Sequence, residues 1–222
     1  MQWRVDAGPA YSVLIVNLEP GERVSAEPGA MMLVRGDVKV ETKSGGILKG
    51  LLRAVAGGES FFLNHYYAQT RSELWFVPGV PGDISSIELK GDSWVIQDTS
   101  YLAHYGDIDV SVAWRGLKGF FTEGELVWLK AEGTGTVWIN SYGAIRTVEV
   151  PAGERVIIDN MHFVAMPSRT KYRIRKFGGL KTFFFGGEGL VVEVEGPARV
   201  LVQTRILPPF ASLLARFLPK RG

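Results

Sequence analysis

The sequence predicts an all-β protein of three internally repeated β-units with two short helices. Three observations carry this expectation. Short runs rich in Val, Ile, Tyr, Phe and Trp recur at roughly ten-residue spacing along the 222 residues. Gly, Pro, Asp and Asn punctuate them, with 27 Gly and 11 Pro in the chain. A set of landmarks also recurs three times in the same order. Such a pattern indicates a sandwich, barrel or β-prism and argues against a βαβ protein.

Taken in order, the first strand-like runs are Tyr11–Leu18 and Val38–Thr42. Ile47–Ala56 then reads as a helix. Its Leu48, Leu51, Leu52 and Val55 fall at helical spacing between Gly45–Gly46 and Gly57–Gly58. Strand-like composition resumes in Ser60–Tyr67, Glu73–Val77, Ile84–Leu89, Ile108–Ala113, Leu126–Ala131 and Thr136–Ser141. The GTG at Gly133–Gly135, between the last two runs, reads as a hairpin turn. Val156–Ile158, Tyr172–Lys176, Leu190–Val194 and Arg199–Ile206 complete the strands. Alternation is clean in Lys171–Lys176, where Lys171, Arg173 and Arg175 share one face and Tyr172 and Ile174 the other. The second helix, Phe210–Leu218, follows Pro208–Pro209, which can open a helix because a first-turn N–H is unpaired anyway.

The repeat rests on three ordered landmarks. Segments beginning at Pro20, Lys90 and Ala152 each run through Gly, an acidic residue, an apolar–polar stretch, a turn and an apolar strand. Their glycines, Gly21, Gly91 and Gly153, lie 70 and 62 residues apart. A second glycine landmark follows at Gly45–Gly46, Gly116 with Gly119, and Gly178–Gly179. The third is a Gly–Glu pair: Gly58–Glu59, Gly124–Glu125 and Gly187–Glu188. The expected organisation is one β domain over 1–207, with pseudo-repeats at about 10–78, 79–145 and 146–207. An amphipathic helix and basic tail occupy 208–222.

Composition removes several kinds of chemistry. No cysteine is present, which excludes a disulfide scaffold, a zinc ribbon, an iron–sulfur site and a thiol nucleophile. Lys and Arg number 25 against 23 Asp and Glu, a net charge of +2 that gives little general attraction to nucleic acid. The opening MQWRVDAGPA has the form of neither a secretory nor a mitochondrial presequence, and apolar runs fall far short of a membrane span. A cytoplasmic protein is expected.

The segments GGILKGLLRAVAGGESFFLN (Gly45–Asn64), VPGVPGDISSIELKG (Val77–Gly91), WVIQDTSYLAH (Trp94–His104) and GGEGLVVEVEGPARVLVQT (Gly186–Thr204) carry a family resemblance. Together they resemble the widespread prokaryotic family related to the eukaryotic altered-inheritance-of-mitochondria (mitochondrial biogenesis) proteins. The resemblance spans about Tyr11 to Thr204. It implies three units similar to the tryptophan RNA-binding attenuation protein, a short double-stranded β-helix variant. It further implies a homotrimer with nine related units in a ring. No biochemical activity comes with the family. Its mitochondrial members are linked with inner-membrane organisation, a role that does not transfer to a chain without a matching presequence.

Candidate sites each have a structural alternative. Glu59, Glu125 and Glu188 could gather around the pseudo-threefold to bind a cation or move protons. The alternative has them accepting backbone N–H bonds at strand starts, which their repetition favours. His65, His104 and His162 are isolated, with no His-x-His, so no metal ligand set and no cofactor are predicted. No Gly-x-Ser-x-Gly, dinucleotide fingerprint or P-loop occurs, and no catalytic residue is assigned. Lys171, Arg173 and Arg175, with Phe183–Phe185 nearby, could track RNA, but the small net charge favours a solvated strand face. Phe210, Leu213, Leu214, Phe217 and Leu218 form an apolar stripe flanked by Arg216, Lys220 and Arg221. That stripe suits packing on the β-body, a subunit contact or a membrane surface. The expected function is a non-enzymatic homotrimeric scaffold or interaction protein. The alternatives are a small-ligand or metal-binding module, possible as an enzyme, and a peripheral membrane protein.

Overall fold

Strand pairing organises nearly every residue described in the computed structural model, which covers 1–44, 62–115, 127–176 and 190–218. A four-stranded sheet takes the order β1 (Gln2–Asp6), β2 (Val13–Leu18), β7 (Ser72–Phe76), β4 (Met31–Arg35). A three-stranded sheet is built from β12 (Arg155–Asp159), β15 (Leu190–Glu195) and β14 (Lys171–Lys176). The largest sheet has nine strands. It begins with β11 (Ile145–Val150), β16 (Ala198–Gln203), β13 (Phe163–Pro167), β8 (Ile84–Gln97) and β10 (Val127–Asn140). It ends with β9 (Tyr101–Arg115), β3 (Arg23–Ala26), β6 (Phe62–Ala68) and β5 (Val38–Ser44). The all-β class therefore holds, with every named pair antiparallel.

Local sequence explains the strands. In β7, Ser72, Leu74 and Phe76 point inward while Glu73 and Trp75 are partly exposed, the period-two pattern of a half-buried strand. The centre of the largest sheet differs from expectation: β8, β9 and β10 run 14, 15 and 14 residues. The GTG stretch is accordingly not a hairpin turn. β10 passes straight through it, with a register shift between Gly133 and Thr134 against β8. At Gly133 and Gly135, φ is +136° and +149°, and a Cβ would lie 2.1 Å from the carbonyl oxygens of Asp107 and Tyr105. These glycines let β9 approach β10 closely and leave the strand unbroken.

Three buried clusters fill the body. The first contains Leu14, Val16, Leu74, Phe76 and Trp138. The second is formed by Leu89, Ile96, Tyr101, Leu129 and Val137. Trp128, Phe163, Met166, Val192 and Val194 belong to the third. The clusters interlock: Trp138 and Trp128, both on β10, belong to the first and third.

The landmark glycines Gly21, Gly91 and Gly153 share one conformation, with φ of +86°, +82° and +84° and open space where a Cβ would be. Backbone conformation, not crowding, suits glycine to these three positions, of which Gly21 and Gly153 are in turns and Gly91 lies within β8. A short strand follows Gly21 and Gly153, and the second half of β8 follows Gly91; then comes a turn at Pro28–Gly29 or a single 3-10 turn at Asp98–Ser100 or Asn160–His162. The likeness stops at the sheets, which have four, nine and three strands. The predicted helix Ile47–Ala56, the second glycine landmarks and the Gly–Glu pairs lie outside the described residues. The C-terminal helix is present as α1 (Leu207–Ala215), slightly earlier than the stripe suggests.

Candidate functional site

α1 is the element that the body holds least. Pro208 and Pro209 occupy its first turn, where their missing N–H groups are not needed. Ile206 precedes it in extended conformation without a side-chain cap. The backbone N–H groups of Arg216 and Phe217 donate to the carbonyls of Leu213 and Leu214, closing the C-terminal end. No residue of the helix is buried. Leu207, Phe210, Leu213, Leu214, Phe217 and Leu218 are 43–80% exposed. A tilted ring contact of 6.1 Å between Phe210 and Tyr142 ties the helix to the β11 end of the body. Packing of the stripe onto its own body, one of the three expected roles, is therefore not what the fold shows.

The basic strand is β14. Its partner β15 brings Glu193 between it and β12, and three arginines converge on that carboxylate. Arg173 donates from Nε and Nη2 at 3.1 and 2.8 Å, Arg175 from Nε at 2.7 Å, and Arg155 from Nη1 at 3.1 Å. The hydrogen bond from Arg175 is the largest influence on the Glu193 carboxyl; burial pushes the other way, and the added bonds from Arg173 and Arg155 hold it down at about 2. Its side chain is only 6% exposed because arginine side chains cover it, not an apolar shell, so desolvation loses to ion pairing. Lys171 sits opposite Glu195, and Arg173 Nη2 also lies 3.9 Å from that residue. Lys171, Arg173 and Arg175 thus share an outer face with carboxylates and do not form a bare cationic track. Lys171, Arg173 and Glu195 line a surface cleft with Thr170 and Tyr172.

A third grouping joins residues far apart in sequence. On β3, Ser25 lies directly opposite His65 of β6 on one side and His104 of β9 on the other. Ser25 Oγ and His65 Nδ1 are 2.7 Å apart, as are Tyr101 Oη and His104 Nδ1. Burial drives the His104 imidazole down to about 3, aided by the charge of Arg23, and so keeps it neutral at pH 7. Nearby, burial pushes Glu27 up to about 8, reinforced by Asp98, while burial raises Asp98 itself to about 6. Ser25 is 1% exposed, which closes it to a substrate and makes the row an internal polar seam. Among the described residues no three His, Cys, Asp or Glu side chains are placed to hold a metal ion.

The family model for the mitochondrial biogenesis protein AIM24 matches residues 3–205. The chain belongs to the AIM24 family. It is 28% identical over 228 aligned positions to an uncharacterised protein of Streptococcus pyogenes serotype M6, covering 99% of this chain and 92% of that protein. An X-ray crystal structure of a Streptococcus pyogenes protein superposes with a TM-score of 0.82 at 27% identity, covering 98% of this chain and 99% of the other.

In this AIM24 chain, Glu59, Glu125 and Glu188 fall outside the described residues. Lys171, Arg173 and Arg175 come together as alternation predicts, and Phe210, Leu213, Leu214, Phe217 and Leu218 stand out in solvent. The row of Ser25, His65 and His104 has no motif in the sequence. No local signal marks it, since β3, β6 and β9 carry other polar residues such as Arg23, Asn64 and Asp107, and only register makes the three neighbours. No helix among the described residues is long and apolar enough to cross a membrane.

Proposed function

We propose that this AIM24 chain is a non-enzymatic scaffold or interaction protein, assembled as a homotrimer in the cytoplasm. The observation that carries the reading is the state of its sheet edges. β4 is an outer strand of the four-stranded sheet and β5 an outer strand of the nine-stranded one. The two follow one another in the chain and leave Met31, Met32 and Val40 exposed. Unpaired edge strands with apolar side chains are templates for pairing with another copy, and closed assembly removes that liability. The interlocked cores and the shared backbone conformation of Gly21, Gly91 and Gly153 support a body of three related units, which suits a ring of such units.

Light scattering on a size-exclusion column tests this. A mass near three times the 24.5 kDa of one chain is expected, and 24.5 kDa itself would sink the trimer. Val40→Glu, which places a charge on the β5 edge, is expected to lower the mass while leaving the circular dichroism unchanged.

A further inference from the structure

We infer that α1 is an interfacial anchor that lays its apolar stripe on the surface of an anionic lipid bilayer. At 100° per residue, Leu207, Phe210, Leu213 and Leu214 fall within an arc of roughly 120° on α1, while Ser212 and the C-cap Arg216 lie outside it, and Phe217 and Leu218 continue the apolar run in the turn just after the helix. That geometry belongs to a helix lying in an interface plane. All six residues are 43–80% exposed, and the tilted contact of Phe210 with Tyr142 leaves the stripe open. A helix of nine residues with an uncapped start has little stability of its own in water, so the surface that receives the stripe supplies it.

Charge selects the surface. From Gly196 onward the sequence carries Arg199, Arg205, Arg216, Lys220 and Arg221 and no Asp or Glu. Packing this stripe on the same stripe of a second copy would bring together two segments that each carry Arg216, Lys220 and Arg221 and no acidic residue to offset them. An anionic headgroup layer instead attracts the basic residues while its acyl boundary receives Phe217 and its neighbours. α1 is too short to span, so it lies in the plane of one leaflet. The inference does not depend on trimerisation, although three helices on one particle would strengthen attachment by avidity.

Co-sedimentation of the full chain with two vesicle preparations tests it. One is phosphatidylcholine alone, and the other contains about one-third phosphatidylglycerol. The protein is expected to pellet with the anionic vesicles and to stay in solution with the neutral ones. Arg216→Gln is expected to weaken binding about fivefold. The double variant Leu214→Glu with Phe217→Glu is expected to weaken it by roughly a hundredfold or more. Light scattering of that variant must give the wild-type mass, and its thermal transition must be unchanged. Three results would overturn the anchor: no pelleting of wild type with anionic vesicles, equal pelleting of the double variant, or a fall in that variant's mass. The last would make the stripe a subunit contact. A monomeric wild type that still pellets would remove the trimer and keep the anchor.

Discussion

The β-body and α1 use the same large apolar residues and treat them in opposite ways. In the body, Phe76, Trp128, Trp138 and Phe163 are sealed from solvent, whereas Phe210, Leu213 and Leu214 on α1 are nearly half exposed and Phe217, in the turn just after it, remains 80% exposed. Both regions are apolar in sequence, so composition does not separate them. Position does: each buried aromatic of the body sits on or beside a strand faced by other elements, while α1 follows the last strand and, among the described residues, has none buried. Burial in this protein is thus a consequence of register and topology, and the exposed stripe of α1 marks a surface left for something outside the chain.

Truncation gives the largest effect that can break the contrast. Trp138→Ala is expected to destabilise the protein by about 3–5 kcal/mol, through lost transfer energy and the cavity left behind. Phe217→Ala should stay within about 0.5 kcal/mol. Chemical denaturation of both variants checks this, and similar losses would mean that α1 is packed after all.

Glycine substitution comes next. A Cβ on Gly82 would lie 1.6 Å from the backbone oxygen of Ser141, so Gly82→Ala should cost about 3 kcal/mol. Gly21→Ala meets open space and only a positive φ, for a cost of about 1 kcal/mol. Reversal of that order in thermal melts would show that the Gly82 backbone can move aside.

Titration sharpens the contrast further, because the buried seam belongs to the body alone. Burial gives Glu27 a folded value of about 8, above its usual 4.5, so its stabilising contribution is present below pH 4.5 and lost as pH rises through 8. Glu27→Gln should raise the melting temperature at pH 8 and leave it unchanged at pH 4.5. His104 acts on the acid side. Its folded value is about 3, below the ordinary 6.5, so the unfolded chain takes up the proton first and stability falls between pH 6.5 and 3.

The smallest effect concerns Glu193. Its carboxyl is held at about 2, so its contribution is present above pH 4.5 and lost as pH falls toward 2. Melting curves for Glu193→Gln should therefore be flatter than wild type over that window. An equal slope would mean that the three arginines contribute nothing through this carboxylate.

Much of the fold was legible in the sequence, for reasons tied to particular elements. Alternation in Lys171–Lys176 located β14 and its two faces correctly, because a strand with one solvated side writes its pattern directly. β1, β3, β4, β11 and β13 escaped as named strand runs: β3 has four residues, and the apolar run of β4 shows no alternation. The GTG error has a specific cause. Glycine marks both turns and close strand approaches, and nothing local distinguishes the two. Of the candidate sites, the stripe of α1 and the basic strand could be read from local spacing. The carboxylate that ties Arg155, Arg173 and Arg175 together, and the seam of Ser25, His65 and His104, could not.

Sequence alone determined the β class, the landmark glycines Gly21, Gly91 and Gly153, the absence of thiol chemistry and the amphipathic C-terminal helix. Each follows from local backbone preference or from residue identity, which need no distant partner. Tertiary structure decided which strands share a sheet, which carboxylate meets which arginine, and which apolar residues are covered. Those outcomes depend on pairing between residues tens of positions apart, such as Arg155 with Glu193 or Ser25 with His104. A side chain's own chemistry states what it can do, and only the register of the sheet states what it meets.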